Sequence, residues 1–181
     1  EGANEDLVRL AESNEADVVI ARLDGATVDV DVHPLYEEEV VLVATPAVLG
    51  EALGVAPGEA ATAAREAGLA GLGRCPMLLE PVDDISGRIA HAELRRAGVR
   101  PRVLVESNDM LTLLRLANDG LGAAFCPTMV LDEMPELTGA LVPVALSAAA
   151  RYRISLGTPA GVEPWNARAV FEDIAGTLFG A

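Results

Sequence analysis

Cysteine is scarce in this chain. The 181 residues hold two, Cys75 and Cys126, far apart and outside any CxxC pattern. Neither a disulfide framework nor a cysteine metal site is therefore indicated. Each stands beside a proline in an apolar run (CPMLL, AAFCP), the setting of a buried structural thiol. Histidine is equally rare, with His33 before a proline and His91 in the middle of an expected helix among polar positions. No nucleophile elbow, glycine-rich phosphate loop or HExxH motif occurs. The pair Asp83-Asp84 has no partner that would make it a general acid–base couple, and reads as loop. A catalytic role is thus disfavoured, and neither a cofactor nor a metal is expected. No apolar stretch approaches the ~20 residues of a membrane span. The start, EGANEDLVRL, is acidic and has no basic-then-apolar leader, so the cytoplasm is the default location. Positive charge is short as well, 13 Lys and Arg against 28 Asp and Glu, a net charge of −15. Such a surface repels phosphate backbones and argues against direct nucleic-acid binding. It leaves room for a local cationic pocket, because nearby charges govern a site.

What the chain does have is apolar mass. Hydrophobic residues make up 51% of it, enough for a real core in one domain or two small lobes. Asn4 can cap a short helix, with Glu5 and Asp6 at its positive end and Leu7, Leu10 and Ala11 on one face. The run ADVVIA (16–21) has the look of a parallel strand covered on both faces. VDVDV (28–32) alternates as a half-exposed strand would, His33-Pro34 interrupts it, and VVLVAT (40–45) is the next buried strand. Pro57 opens an alanine-rich helix within residues 46–73. PMLLE (76–80) is a strand, followed by a helix over about 86–97 that ends at Gly98 in the C′ position. RVLVE (102–106) is a strand, Ser107 caps a helix over 109–118, and GAAFCP leads on as another strand. RYRISLGT (151–158) is a late strand. A closing amphipathic helix, WNARAVFEDIAGTLF, presents Trp165, Ala169, Phe171 or Ile174, and Leu178 as its apolar face. The acidic run Glu37-Glu38-Glu39 reads as a solvated face. Strands alternating with helices predict an α/β fold with mainly parallel sheets.

Several segments resemble one family. LVRLAESNEADVVIARL resembles the LysR-type pattern of a helix and small turn leading into an apolar strand. HPLYEEEVVLVATP is similar to that family's L-x-x-E-x-L-x-L-V segment. SNDMLTLLRLANDGLGAAFCP is similar to its E-S/T-x-x-x-x-x-L-V-A-x-G-x-G-I-A-x-L-P stretch, the most specific of the matches. RYRISLGTPAGVEPWNARAVFEDI resembles its return strand and last helix. The segments keep the family's order over nearly the whole chain. The resemblance implies the effector-binding domain of a LysR-type transcriptional regulator, with a type 2 periplasmic-binding-protein-like fold of two Rossmann-like lobes around a ligand cleft. Residues 1–46 and 153–181 would form lobe I and residues 47–152 lobe II. The family's helix-turn-helix and the first strand–helix–strand of lobe I have no counterpart here. DNA would then be reached only through a segment outside this chain, and pairing into a dimer or tetramer is implied.

Candidate ligand residues come from chemistry and resemblance together. Ser86, Gly87 and Arg88 open a helix, and free N–H groups with the helix dipole make such a start a carboxylate site. It reads equally as a plain cap with a surface arginine. Asn4 falls where the family often has an effector-touching Ser or Thr, and reads otherwise as a helix cap. Arg22 follows a strand's carboxyl end, where open α/β sheets place ligands. It can hold a carboxylate bidentately or simply lie exposed. Phe125, Pro127 and Thr128 end another strand; Thr128 could donate to a ligand, while Phe125 reads as pocket wall or, preferably, core. Glu80 ends its strand beside Pro81 and can meet a cationic group or water. The leading expectation is a sensor of a small organic, anionic effector. A transport solute-binding protein of the same fold and an enzyme on the same scaffold are the alternatives.

Overall fold

The computed structural model describes residue 2 and residues 4–23, 29–161 and 166–179. The chain divides into two compact units, one of residues 1–38 and 152–181, the other of residues 39–151. Two long strands, β2 (Val30–Ala44) and β7 (Arg151–Pro159), carry the chain from one unit to the other. The hydrogen-bonded strand order is β1-β7-β2-β5-β3-β4, with β6 also on β2.

The first unit begins with α1 (Asn4–Glu12) and β1 (Val19–Ala21). Ala11 of α1 packs with Val19, Ala21, Leu23 and Val30, flanked by Leu7 and Val8. β1 pairs antiparallel with β7, Val19 opposite Gly157. The parallel, doubly covered strand expected for 16–21 is therefore an antiparallel one. Its middle residue, Ile20, is 39% exposed, so the strand is buried on one face. The expected break at His33-Pro34 is also absent, since β2 runs through both residues. Proline's fixed φ suits an extended chain, and both residues are exposed, so the missing N–H is tolerated. Val28 lies outside the described residues.

The unit closes with α8 (Asn166–Phe179). Among its described residues the buried ones are Ala175, against Leu35 and Leu156, and Arg168. The face expected to be apolar core is instead largely open, with Phe171 42%, Ile174 50% and Leu178 70% exposed. Trp165 falls outside the described residues. Helical periodicity fixes which residues share a face but not which face turns inward. The small Ala175 allows close seating over the two leucines.

The second unit holds α2 (Pro46–Leu53), α3 (Pro57–Gly71), β3 (Pro76–Leu79), α4 (Ile85–Arg96), β4 (Arg102–Glu106), α5 (Met110–Asn118), β5 (Ala123–Pro127), α6 (Thr128–Glu133), α7 (Pro135–Thr138) and β6 (Val142–Ala145). β3 pairs parallel with both β4 and β5, while β2 pairs antiparallel with β5 and β6. The sheet is mixed rather than mainly parallel, because β2 runs against β5 and β6. Val41, Val43, Leu78, Ala124 and Cys126 from the strands meet Leu113, Leu114 and Ala117 of α5 in one core cluster. At the start of α5, Asp109 is the cap: its Oδ1 accepts from the N–H groups of Leu111 and Thr112 at 3.1 and 3.4 Å. Ser107, expected in that role, accepts from Asp109 N instead. The acidic run 37–39 is no uniform solvated face either. Glu38 is buried, while Glu37 and Glu39 pair with Arg153 and Arg151. Alternation along a strand sends neighbouring residues to opposite faces.

Candidate functional site

The parallel set β4-β3-β5 brings three strand ends to one edge of the second unit. From it lead the turn from β3 into α4, the turn from β4 into α5, and the junction of β5 with α6. Carboxyl edges of parallel strands are where open α/β sheets bind ligands. Ser86, Gly87, Arg88, Pro127 and Thr128 all lie at this edge. Phe125 sits inside β5, buried and paired with Leu42, which favours the core role. Asn4 and Arg22 are brought together in the first unit. The Asn4 side chain donates to the Arg22 carbonyl oxygen at 3.1 Å and accepts from the Arg22 N–H at 2.8 Å. Asn4 is thus a tie between α1 and the end of β1 rather than only a helix cap.

The start of α4 is tightly built. A Cβ added to Gly87 would lie 2.0 Å from the Pro81 carbonyl oxygen and 2.8 Å from that of Glu80, so the chain crosses directly over the helix start. Arg88 turns back on this turn, its Nε and Nη2 each 3.3 Å from the carbonyl oxygens of Val82 and Asp83. Asp84, the cap residue, makes no side-chain cap bond. Ser86 is buried and donates to the Glu80 carboxylate. Glu80 itself is only 7% exposed, and no donor among the described residues reaches its Oε2. Burial, and then the charge of Asp84, push its carboxyl up to about 7 against the lowering effect of Ser86. The sequence leaves Glu80 open between a cation and water; the structure puts it out of water.

Other polar groups carry no sign in the sequence. Glu93 of α4 is buried and accepts from the N–H and hydroxyl of Ser147, at 3.0 and 2.9 Å, and from Arg96. Its segment, HAELRRAG, looks like an exposed helix face and has no local signal of this. His91 is half-buried with Nε2 enclosed and unpartnered among the described residues, not a surface position. In the first unit, buried Arg168 pairs with Glu172 at 2.8 Å. Glu172 also lines a cavity of about 210 Å³ with His33, Pro34, Leu35, Leu156 and Gly176. Both cysteines are buried and outside any disulfide, and burial with the charge of Glu51 pushes the Cys75 thiol up to about 11. Among the described residues no group of three or more His, Cys, Asp or Glu side chains could hold a metal ion. No helix among them is long and apolar enough to cross a membrane.

The family model of the LysR substrate binding domain matches residues 1–177, and the chain belongs to that family. No protein of curated function matches the sequence. Solved structures share the fold. An OxyR C206 mutant from Corynebacterium glutamicum matches with a TM-score of 0.70 at 17% identity, over 99% of this chain and 52% of that one. This chain therefore spans about half the length of that OxyR. The CcmR regulatory domain of Synechocystis PCC6803 in complex with 2-PG matches at 0.71 and 14% identity, over 97% of this chain and 79% of that one. The effector binding domain of QuiR in complex with shikimate matches at 0.69 and 12% identity, over 98% and 78%. The fold is thus that of the LysR effector-binding domains, of type 2 periplasmic-binding-protein-like architecture.

Proposed function

We propose that this chain is the effector-sensing domain of a LysR-type transcriptional regulator, acting in the cytoplasm by binding a small organic acid without turning it over. The family match over residues 1–177 carries this reading. The carboxyl edge of β4-β3-β5 supports it, because Ser86, Gly87, Pro127 and Thr128 gather where such sheets hold ligands. Arg22, whose backbone Asn4 fixes, is the candidate partner of the effector's acid group, while Arg88 fastens the turn beside Ser86. Effector binding shifts the population of domain arrangements, and that shift reaches DNA through a reader outside these residues. The net charge of −15 agrees with a domain that does not itself touch DNA.

Pairing with a second copy belongs to the same reading, as a homodimer or tetramer. β4 ends the strand order and exposes Val103 and Leu104, 46% and 47%, on its two faces, with Leu111 of α5 exposed nearby in sequence. An apolar open edge strand is a template for association. Sedimentation equilibrium should show self-association that Leu104→Arg weakens; a monomer at high concentration refutes the pairing.

A thermal-shift screen of the 181-residue chain against organic acids tests the sensor role. A ligand held by the native state at a hundred times its Kd adds about 2.7 kcal/mol. Tight sequence-specific DNA binding by the isolated chain would sink the reading, as would turnover of a bound acid.

A further inference from the structure

The turn into α4 has one property that an anion site should not have. Its polar interior is already supplied with a carboxylate. Glu80 lies buried behind the helix start, linked to Ser86, the second residue of α4. Asp83 and Asp84 add two further acids on the same turn, and Arg88 is turned onto the carbonyl groups of Val82 and Asp83. A second carboxylate brought to Ser86 would face this negative cluster, and opposing like charges is unfavourable. Meanwhile Oε2 of Glu80 is an enclosed acceptor with no donor among the described residues. Native structures satisfy nearly all such atoms, and the exceptions require an explanation.

We propose that Glu80 is the specificity-determining residue of the effector site: its enclosed carboxyl oxygen accepts a hydrogen bond from a hydroxyl or ammonium group of the effector, which is therefore a hydroxy- or amino-bearing organic acid. The inference rests on the sensor reading and narrows its ligand class. The effector's own acid group binds away from this turn, and its donor group is what the turn reads. Ser86 holds the carboxyl in place, and Gly87 lets residues 80–81 cross close enough to keep it there. Arg88 fastens the outer part of the turn and does not take the effector's charge.

Matched acids separate the possibilities. Butyrate, 3-hydroxybutyrate and 3-aminobutyrate form one set; succinate, malate and aspartate form another. Each is titrated at millimolar concentration against the 181-residue chain by calorimetry and thermal shift, with Glu80→Met and Glu80→Gln beside it. At about pH 8, above the value near 7 to which burial pushes the Glu80 carboxyl, a donor-bearing member should bind roughly ten- to hundredfold more tightly than its plain parent, as hydrogen bonds to a charged group do. Glu80→Met should erase that preference. Glu80→Gln, which keeps a carbonyl acceptor, should retain the hydroxyl preference and lose the ammonium one, and serves if the Met variant does not fold. Plain acids binding as well as their hydroxy and amino partners, or binding better at lower pH with proton uptake, would overturn the inference and leave the sensor reading standing. Preferences unchanged in both variants would overturn it too. Binding of no member of either set would count against the sensor reading, and the inference would fall with it.

Discussion

The side-chain amide of Asn4 and the backbone of Arg22 form a reciprocal pair, donating one hydrogen bond at 3.1 Å and accepting one at 2.8 Å across eighteen residues of chain. The pair fixes the end of β1 to the first turn of α1, so it positions the Arg22 backbone whatever Arg22's side chain does. Losing it leaves two partly buried backbone groups to find water. Asn4→Ala should cost about 1–2 kcal/mol in urea unfolding. Asn4→Asp keeps the acceptor and loses the donor, and should fall between. An Ala variant as stable as the parent would show that the tie is idle.

Two glycines make opposite predictions. At Gly87 a Cβ would collide with the Pro81 and Glu80 carbonyl oxygens. Gly87→Ala must push the turn away from α4, at about 1–3 kcal/mol or more. Gly176, inside α8, has open space around an added Cβ and no left-handed φ. Gly176→Ala should stabilise by about 0.5–1 kcal/mol, the helix penalty of glycine removed. Denaturant midpoints of the two variants should move in opposite directions; a Gly87→Ala midpoint that does not fall would refute the close approach at Gly87, and a Gly176→Ala midpoint that falls would refute the open space in α8.

Glu80 gives the domain a pH dependence of known sign. Its carboxyl titrates near 4.5 ordinarily and near 7 in the fold. Below 4.5 it is protonated in both states and carries no penalty. Between 4.5 and 7 the unfolded chain ionises while the folded one keeps its proton, so stability falls as pH rises. Above that window the full penalty holds, about 3 kcal/mol for a shift of this size. Subtracting the Glu80→Gln curve from the parent's should isolate a decline confined to that window. A flat difference would mean that the carboxyl titrates normally.

Much of the architecture could be read from the chain because it rests on local signals. RVLVE and GAAFCP are short apolar runs between turn residues; the first is β4 with the expected limits, and the second is β5 from Ala123 on, one residue later than expected. Gly98, expected as the C′ residue of α4, has a φ of +68°, which glycine adopts without strain. What failed depended on partners distant in sequence. Nothing local says that β1 meets β7 antiparallel, or that α8 turns Arg168 and Ala175 inward and leaves Phe171 and Leu178 outside. The site divides in the same way. A helix start pointed to Ser86 and a strand end to Thr128, and the fold sets them on one edge. That Glu80 is enclosed follows from the chain crossing Gly87, a packing event with no signature in PMLLEPVDDISGR. Glu93 and Ser147 are likewise joined across 54 positions, beyond any spacing rule.

The thiols bear on the proposed sensor role. Oxidation needs a thiolate within reach of the oxidant. Cys75 has neither property, since it is wholly buried and its thiol is pushed up to about 11. Cys126 is as deeply buried, in the core strand β5 beside Val41 of β2. Under native conditions at neutral pH both should resist a thiol-specific reagent and peroxide, and react at the rate of global unfolding. In denaturant both thiols should be modified promptly. Fast native reaction of either cysteine would favour a covalent mode over the proposed reversible binding; slow reaction agrees with reversible binding.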